Sequence, residues 1–519
     1  MGQTDNRTVV IGLDGAHFEL LQPWISNDSL PNIKHILQSG ISGDLKSVIP
    51  PVTSPNWKAY STGKNPGKLG IFWWENINVK DRSVYYPNER KHGHTEYWDI
   101  LAKEESVGVL GVPTTYPPRP VGEFQIAGAP DGKNDGFAYP EELESELKDT
   151  YDYRVVADNK LSEHPDQAAR ELIDLIDMRF RVARDLFDEY DLSFLQVTTF
   201  YINTLQHYFW NGEYTREAWE CIDSHIGEFL DRDLNVILMS DHGSTRIKHN
   251  FHINPWLQSN GYMSVDMGLS DLLHKLGVTS ERLGAAVSRF GLRNAAVNLF
   301  PSSILRRIPS ESGEVSKSGK AAVIDWDNSR VIASGQGPVY VLSERIDQEY
   351  ESLRTELIEA LKGVQTPDGV PVADGVYRSE EVYSGPYMDE APGILIDQRD
   401  GIHISGDVGR GETFSKPASD GWLGENKRHG LFVASGPDFG TGSVEGLSIL
   451  DLAPTILHLF SCSVPEDMDG DVCRDVFAKG SSPRKRTVEE TSGDSNLVEG
   501  QKDPRDEAVT ERLEDLGYL

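Results

Sequence analysis

Three apolar runs in this chain stop at side chains that a protein interior would otherwise reject. Val9-Val10-Ile11-Gly12-Leu13 ends at Asp14, Val236-Ile237-Leu238-Met239-Ser240 ends at Asp241 and His242, and the run from Leu192 to Phe200 leads to Asn203 and His207. Continuous apolar runs of this length are consistent with strands buried on both faces, as in parallel sheets. In an open α/β sheet, ligands bind beyond the carboxyl ends of the strands. The three endings therefore predict one site assembled from distant sequence. Oxygen and imidazole donors at every ending suit a divalent metal centre, and that predicts an enzyme.

The surrounding pattern agrees. The strand at 8–13 is followed by a helix at about 31–39 with Pro31 in its first turn, where a missing N–H costs nothing. Further strands are expected at 106–112 and 123–128. A long helix is expected over about 166–187, with Leu172, Ile173, Leu175, Ile176 and Phe180 on one face. Alternation of this kind predicts a mostly parallel sheet covered by helices on both faces. Residues 1–265 form the N-terminal part of that core and 321–480 its C-terminal part, with strands at 321–342 and 429–436 completing the sheet. Between them, 266–320 carries Leu272, Leu273, Leu276 and Leu283 at helical spacing before a Ser/Gly-rich stretch, and is read as a small helical insertion or cap. The acidic segment 481–519 is expected to be disordered up to a short terminal helix near 506–516.

Charge narrows the function. Fifty basic against 82 acidic residues give a net charge of −32, a field that repels nucleic-acid polymers and anionic membranes. Spread over the whole chain, with a mean hydropathy of −0.43, this excess suits a salt-adapted microbe such as a halophilic archaeon. The three cysteines form no CxxC pair, which argues against a disulfide framework or a thiolate zinc site. No apolar run reaches the roughly 18 residues of a membrane span, and no signal-peptide pattern precedes Thr8. A cytoplasmic protein with no membrane partner is expected.

Between Pro50 and Phe72 the motif residues are Thr53-Ser54-Pro55-Asn56, Thr62-Gly63, Pro66 and Gly70-Ile71; further on come Ser240-Asp241-His242-Gly243, Arg428-His429-Gly430, and Asp451-Leu452-Ala453-Pro454-Thr455. In this order they resemble the alkaline phosphatase superfamily, specifically its type I phosphodiesterase/nucleotide pyrophosphatase branch. The resemblance implies an alkaline-phosphatase-like core and hydrolysis of phosphate esters through a phosphothreonine intermediate, with Thr53 as nucleophile. It also implies two divalent metal ions, usually zinc, about 4 Å apart on a shared phosphate. Asp14, Thr53, Asp241 and His242 would hold one ion, and Asn203, His207 and His429 the other. Asn56 would hydrogen-bond a phosphate oxygen. The implied substrate is a small phosphorylated molecule, a nucleotide or phosphodiester.

The chain departs from the branch at Asn203, where the family has an acid. Losing that charge predicts weaker binding at the second site, or a shift from zinc towards manganese or magnesium. A second departure is Leu69, where the family often has histidine, outside the ligand set. His249 and His252 are candidates for the pocket rim, and Trp73 and Trp74 read as core more readily than as a base-stacking platform. The first arginine after Thr53 is Arg82, with Lys58 and Lys64 nearer. Monoesterases of the superfamily place an arginine close after the nucleophile, so its absence here favours a diester. The same site would serve a phosphomutase or a phospho-group transferase, and a degenerate site would bind phosphorylated ligands without turnover.

Overall fold

The computed structural model describes residues 7–87, 93–266, 268, 278–279, 323–343, 345, 348–409, 411–417, 421–493 and 507–516. The elements that carry the site are β1 (Thr8–Leu13), β2 (Ile41–Lys46), α1 (Thr53–Thr62), β3 (Val107–Leu110), β4 (Phe124–Ile126), α2 (Pro165–Glu189), β5 (Phe194–Thr199), α3 (Tyr201–Phe209), α4 (Glu213–Leu230), β6 (Asn235–Met239), β7 (Gly243–Arg246), β8 (Gly424–Lys427) and β9 (His429–Ser435).

A ten-stranded sheet forms the centre, running from Gly442–Ser443 through β2, β9, β6, β1, β5, β3 and β4 to Ala138–Tyr139. The five strands β6, β1, β5, β3 and β4 are mutually parallel, and β9 runs antiparallel to both β6 and β2. β1, β5 and β6 are buried at every residue, including the polar Gln196, Thr198 and Thr199 of β5. One face of the sheet packs on α2 and α4 together with the helices Phe18–Ser26 and Pro31–Ser39. The other packs on α1 and on the helices Tyr97–Leu101 and Leu452–Leu459. The expected core, doubly covered and mostly parallel, is present.

Two expectations need correction. Of the two C-terminal strand regions, only 429–436 joins the central sheet. Residues 331–341 fold instead as a hairpin, with Ile332 opposite Tyr340, inside a separate four-stranded antiparallel sheet with Ile394–Gln398 and Ala373–Arg378. Gly337, at φ +119°, makes the reversal that an apolar count does not reveal. The tail is also tied down earlier than its composition suggests. Glu490–Thr491 pairs with Val464–Pro465, His458 Nε2 bonds Pro483 O at 2.8 Å, and Arg486 donates to Leu459 O. The terminal helix is present at Glu507–Asp515, with Leu513 buried and Tyr208 donating to Asp515 O. The proposed insertion at 266–320 lies almost entirely outside the described residues. No described helix is long and apolar enough to cross a membrane.

Candidate active site and metal centre

The strand order β6-β1-β5 puts the three chemically loaded endings side by side. As β1 stops, Asp14 N donates to Thr199 O at 3.3 Å, and Gly15 N donates to Asp241 Oδ1 at 3.2 Å. Gly15 holds φ +68°, and a Cβ there would lie 2.3 Å from Asn203 Oδ1. Glycine is thus required twice, by the left-handed backbone and by the close approach. Gly15→Ala is expected to destabilise the protein by about 1–3 kcal/mol and to lower turnover by displacing Asn203 and Asp241. Denaturant titration and steady-state kinetics check this.

Thr53 opens α1, and the whole of this helix is buried. Its Oγ1 lies 3.4 Å from Asp14 Oδ1 and 3.3 Å from His242 Nε2. The latter nitrogen is also 3.5 Å from Asp14 Oδ1 and 3.3 Å from Asp241 Oδ2. All four side chains are inaccessible to solvent. The Trp57 indole donates to Asp14 Oδ2 at 2.7 Å, which turns Oδ1 towards the cluster. His242 Nδ1 lies 3.0 Å from Gly243 O; a carbonyl only accepts, so Nδ1 carries the proton and Nε2 presents a lone pair.

Electrostatics say what this arrangement suits. Burial pushes His242 down to about 3, so its ring is neutral. Burial also lifts Asp14 to about 8, and burial together with the Asp14 charge lifts Asp241 well above the carboxylate range. Two carboxylates and a bare imidazole nitrogen facing one another in a dry interior repel unless positive charge lies among them. Asp14, Asp241 and His242 present ligand atoms within 4.8 Å of one another, and Asp241 Oδ2 has no hydrogen-bond donor. This mixed oxygen and nitrogen set fits a divalent cation of the zinc or manganese class. Among the described residues one other cluster, Asp177-Cys221-His225, has ligand spacing. There Arg181 occupies Asp177, and burial pushes the Cys221 thiol up to about 12.

The second expected ligand set is only partly assembled. Asn203 and His207 sit one helical turn apart on α3, both fully buried and on the same face. Asn203 hydrogen-bonds Asp14 and accepts from Ser244 Oγ at 3.4 Å. His207 Nδ1 donates to Gly424 O at 2.8 Å, and the ring stacks on Trp422 with centroids 3.8 Å apart. Burial pushes His207 down to about 4, so it too is neutral.

His429 does not join them. Side chains alternate along β9, with Leu431 and Val433 in the core opposite α1 and Phe432 and Ala434 on the α1 side. His429 falls with the former set. It is exposed and opens on a 570 Å³ cavity lined by Phe18, Gln22 and Lys46. Asn56 also has a different task. Its amide donates to Pro50 O and Val52 O and accepts from Val48 N, so it pins the loop that presents Thr53. His249 and His252 lie on the strand His249–His252 of another sheet, against Asp368 and Ser415. Trp73 and Trp74 are core residues.

The sequence reading missed two residues on β8. Glu425 is fully buried, contacts His403, and accepts from Gln336 Nε2 at 2.8 Å. Burial alone would raise its carboxyl, but the His403 imidazole beside it holds it down to about 2. Asn426 is 1% exposed, and neither atom of its amide has a hydrogen-bond partner. In the sequence both belong to a polar run, Gly424-Glu425-Asn426-Lys427-Arg428, with nothing to mark it as buried.

The family model described as type I phosphodiesterase / nucleotide pyrophosphatase matches residues 8–424. No curated protein matches the chain. Among solved structures, phosphonoacetate hydrolase from Sinorhizobium meliloti 1021 superposes with a TM-score of 0.54 in its phosphonoformate complex and 0.55 in its phosphonoacetate complex. Identity is 14% in each case, over 87% of this chain and 95% of that one. Human ectonucleotide pyrophosphatase / phosphodiesterase 5 is similar at a TM-score of 0.49 and 14% identity, over 91% of this chain and 99% of that one. The hydrolase superposition supports the alkaline-phosphatase-like fold. With the family match spanning most of its length, the chain belongs to the type I phosphodiesterase/nucleotide pyrophosphatase family and is a phosphoester-hydrolysing enzyme.

Proposed function

We propose that this protein is a divalent-metal-dependent phosphodiesterase that works through a covalent phosphothreonine at Thr53. The observation that carries the reading is the placement of Thr53 Oγ1 against both Asp14 Oδ1 and His242 Nε2, at the first turn of a buried helix. A helix N-terminus is a ready place for phosphoryl oxygens, because its amide groups and dipole favour negative charge. Thr53 Oγ forms a bond to phosphorus as the bond to the leaving alcohol oxygen breaks. Asp14 Oδ1, 3.4 Å away, is the carboxylate in reach of the hydroxyl proton. Water then attacks phosphorus, the Oγ–P bond breaks, and the phosphomonoester, still carrying its second alcohol, leaves with Thr53 restored. A bound divalent ion supplies charge that stabilises the threonine alkoxide and the phosphoryl oxygens.

A diester or nucleotide pyrophosphate suits the site better than a monoester. Lys58 is tied to Glu96 at 2.7 Å, Lys64 to Asp467 at 2.5 Å and Arg82 to Asp327 at 2.5 Å. Lys68 is likewise tied to Asp469 at 2.6 Å, so none of the first three cations after Thr53 is left for the extra charge of a monoester. The three cysteines are free, which agrees with action on small phosphorylated molecules in a reducing cytoplasm.

The test is hydrolysis of bis-p-nitrophenyl phosphate, with a nucleotide and phosphonoacetate as comparison substrates, at high salt with added zinc, manganese or magnesium. Diester turnover that EDTA abolishes and divalent metal restores is expected. EDTA should also lower the thermal midpoint, because a cation that binds only the folded state stabilises it. Metal-independent turnover contradicts the proposal.

A further inference from the structure

Asn426 is a buried amide with nothing to bind, and its position says what it serves. In the β7–β8 ribbon it lies directly opposite Ser244. Cross-strand partners share a face, so the Asn426 side chain projects on the side where Ser244 Oγ meets Asn203 Oδ1 and Gly15 O. That is the side of α3 and His207. Its main chain is committed: Asn426 N donates to Glu425 Oε1 and Asn426 O accepts from Gln398 Nε2. The side-chain amide is not, although it is 1% exposed. An unmet buried amide costs stability, which makes a ligand the natural partner.

The ionised, buried Glu425 acts electrostatically on His207, but both of its oxygens are already engaged, by Gln336, His403 and the main-chain N of Asn426. His429 is exposed. The first cluster pairs two carboxylates with an imidazole, whereas Asn203, His207 and Asn426 offer two neutral amides and one neutral imidazole. Two neighbouring dications repel in proportion to the product of their charges, and this second group supplies no anionic ligand of its own. The family match stops at residue 424, short of Asn426.

We propose that the chain binds one divalent cation, at Asp14, Thr53, Asp241 and His242, and that Asn203, His207 and Asn426 form a neutral subsite for oxygen atoms of the bound phosphodiester. The inference rests on the hydrolase reading above for the identity of that ligand. An amide N–H from Asn426 donates to a non-bridging or leaving-group oxygen of the diester, a role that a second cation would otherwise fill.

The experiment is zinc titration of the full chain by calorimetry, with metal content per chain measured after desalting. Wild type should bind one ion, and Asn203→Asp combined with Asn426→His should bind two. Asn426→Ala should keep one ion with unchanged affinity while KM for bis-p-nitrophenyl phosphate rises about tenfold, the effect of one lost hydrogen bond. Two tight ions in wild type would overturn the inference, as would a double variant that still binds one ion, or an Asn426→Ala protein that loses zinc. Asn203→Asp alone, nearly isosteric, guards against misfolding of the double variant and should raise the affinity for a second ion at least tenfold; no gain counts against the proposal. Failure of the hydrolase reading would look different, as normal turnover in Thr53→Ala with the stoichiometry unaltered.

Discussion

Thr53→Ala is expected to lower kcat and kcat/KM together by at least about 10³-fold, or about 4 kcal/mol of transition-state stabilisation. The size follows from the role. A residue that forms the bond to phosphorus cannot be replaced by its neighbours, because His242 and Asp14 position and polarise but present no hydroxyl. The substitution itself is mild. Alanine is the best helix former, Thr53 lies at the start of a ten-residue helix, and none of the stabilising backbone bonds of α1 depends on its side chain. Thr53→Ser should keep measurable turnover, since it preserves Oγ. Ser54 is the one neighbour able to confuse the result: its Oγ is buried without a hydrogen-bond partner. Thr53→Ala with Ser54→Ala should therefore be no slower than Thr53→Ala alone. Steady-state kinetics on the three variants, with circular dichroism to verify the fold, decide the matter. Wild-type kcat in Thr53→Ala/Ser54→Ala would remove the nucleophile assignment.

Glu96→Ala is expected to destabilise the protein by about 3–5 kcal/mol, the cost of leaving a buried charge without its partner. Lys58 Nζ, 2.7 Å from Glu96 Oε1, sits inside α1, and the two side chains are 1% and 3% exposed. Arg119, Ser61 and Trp98 also donate to the same carboxylate. Burial would raise Glu96, but Lys58 and Arg119 outweigh it and hold the carboxyl down to about 2 from its usual 4.5. The sign of the pH dependence follows. A depressed folded-state value means the contribution is fully present above about pH 4.5 and is lost as pH falls towards 2. The stability gap between wild type and Glu96→Ala should accordingly be constant from pH 5 to 8 and shrink in acid. Salt should barely alter it, because buried pairs are poorly screened. Urea titrations across this range provide the measurement; a gap below 1 kcal/mol at pH 7 contradicts the assignment. Because Lys58 lies little more than one turn from Thr53, the variant should also lose activity before it unfolds.

The parts of the site that could be read from sequence share one property: each sits where an apolar strand ends. Asp14, Asp241 and His242 follow β1 and β6 directly, and the sheet order makes those strands neighbours. Periodicity also finds α2, whereas it does not find α3, which places Asn203 and His207 on one face. The C-terminal half resists such reading for a physical reason. β8 and β9 are separated by the single residue Arg428, and the chain passes from the β7 ribbon to the central sheet at that point. Which of Asn426, Lys427 and His429 faces the site depends on strand register, and register is set by partners distant in sequence. His429 carries the more familiar ligand chemistry, yet it is exposed. Asn426 looks like surface and is buried. The hairpin at 331–341 was hidden likewise, since its strands are apolar enough for either sheet and only the pairing with Ile394–Gln398 settles which.

Rapid acid quench during turnover of a phosphodiester, followed by peptide mass spectrometry, tests the central claim most directly. The tryptic peptide Ser47–Lys58 contains both Thr53 and Ser54, and fragmentation separates them. A phosphate on Thr53, still esterified to the retained half of the substrate, that appears only with substrate and divalent metal, and disappears in Thr53→Ala, is the predicted result. Steady turnover with this peptide unmodified, or with the phosphate on another residue, would contradict it.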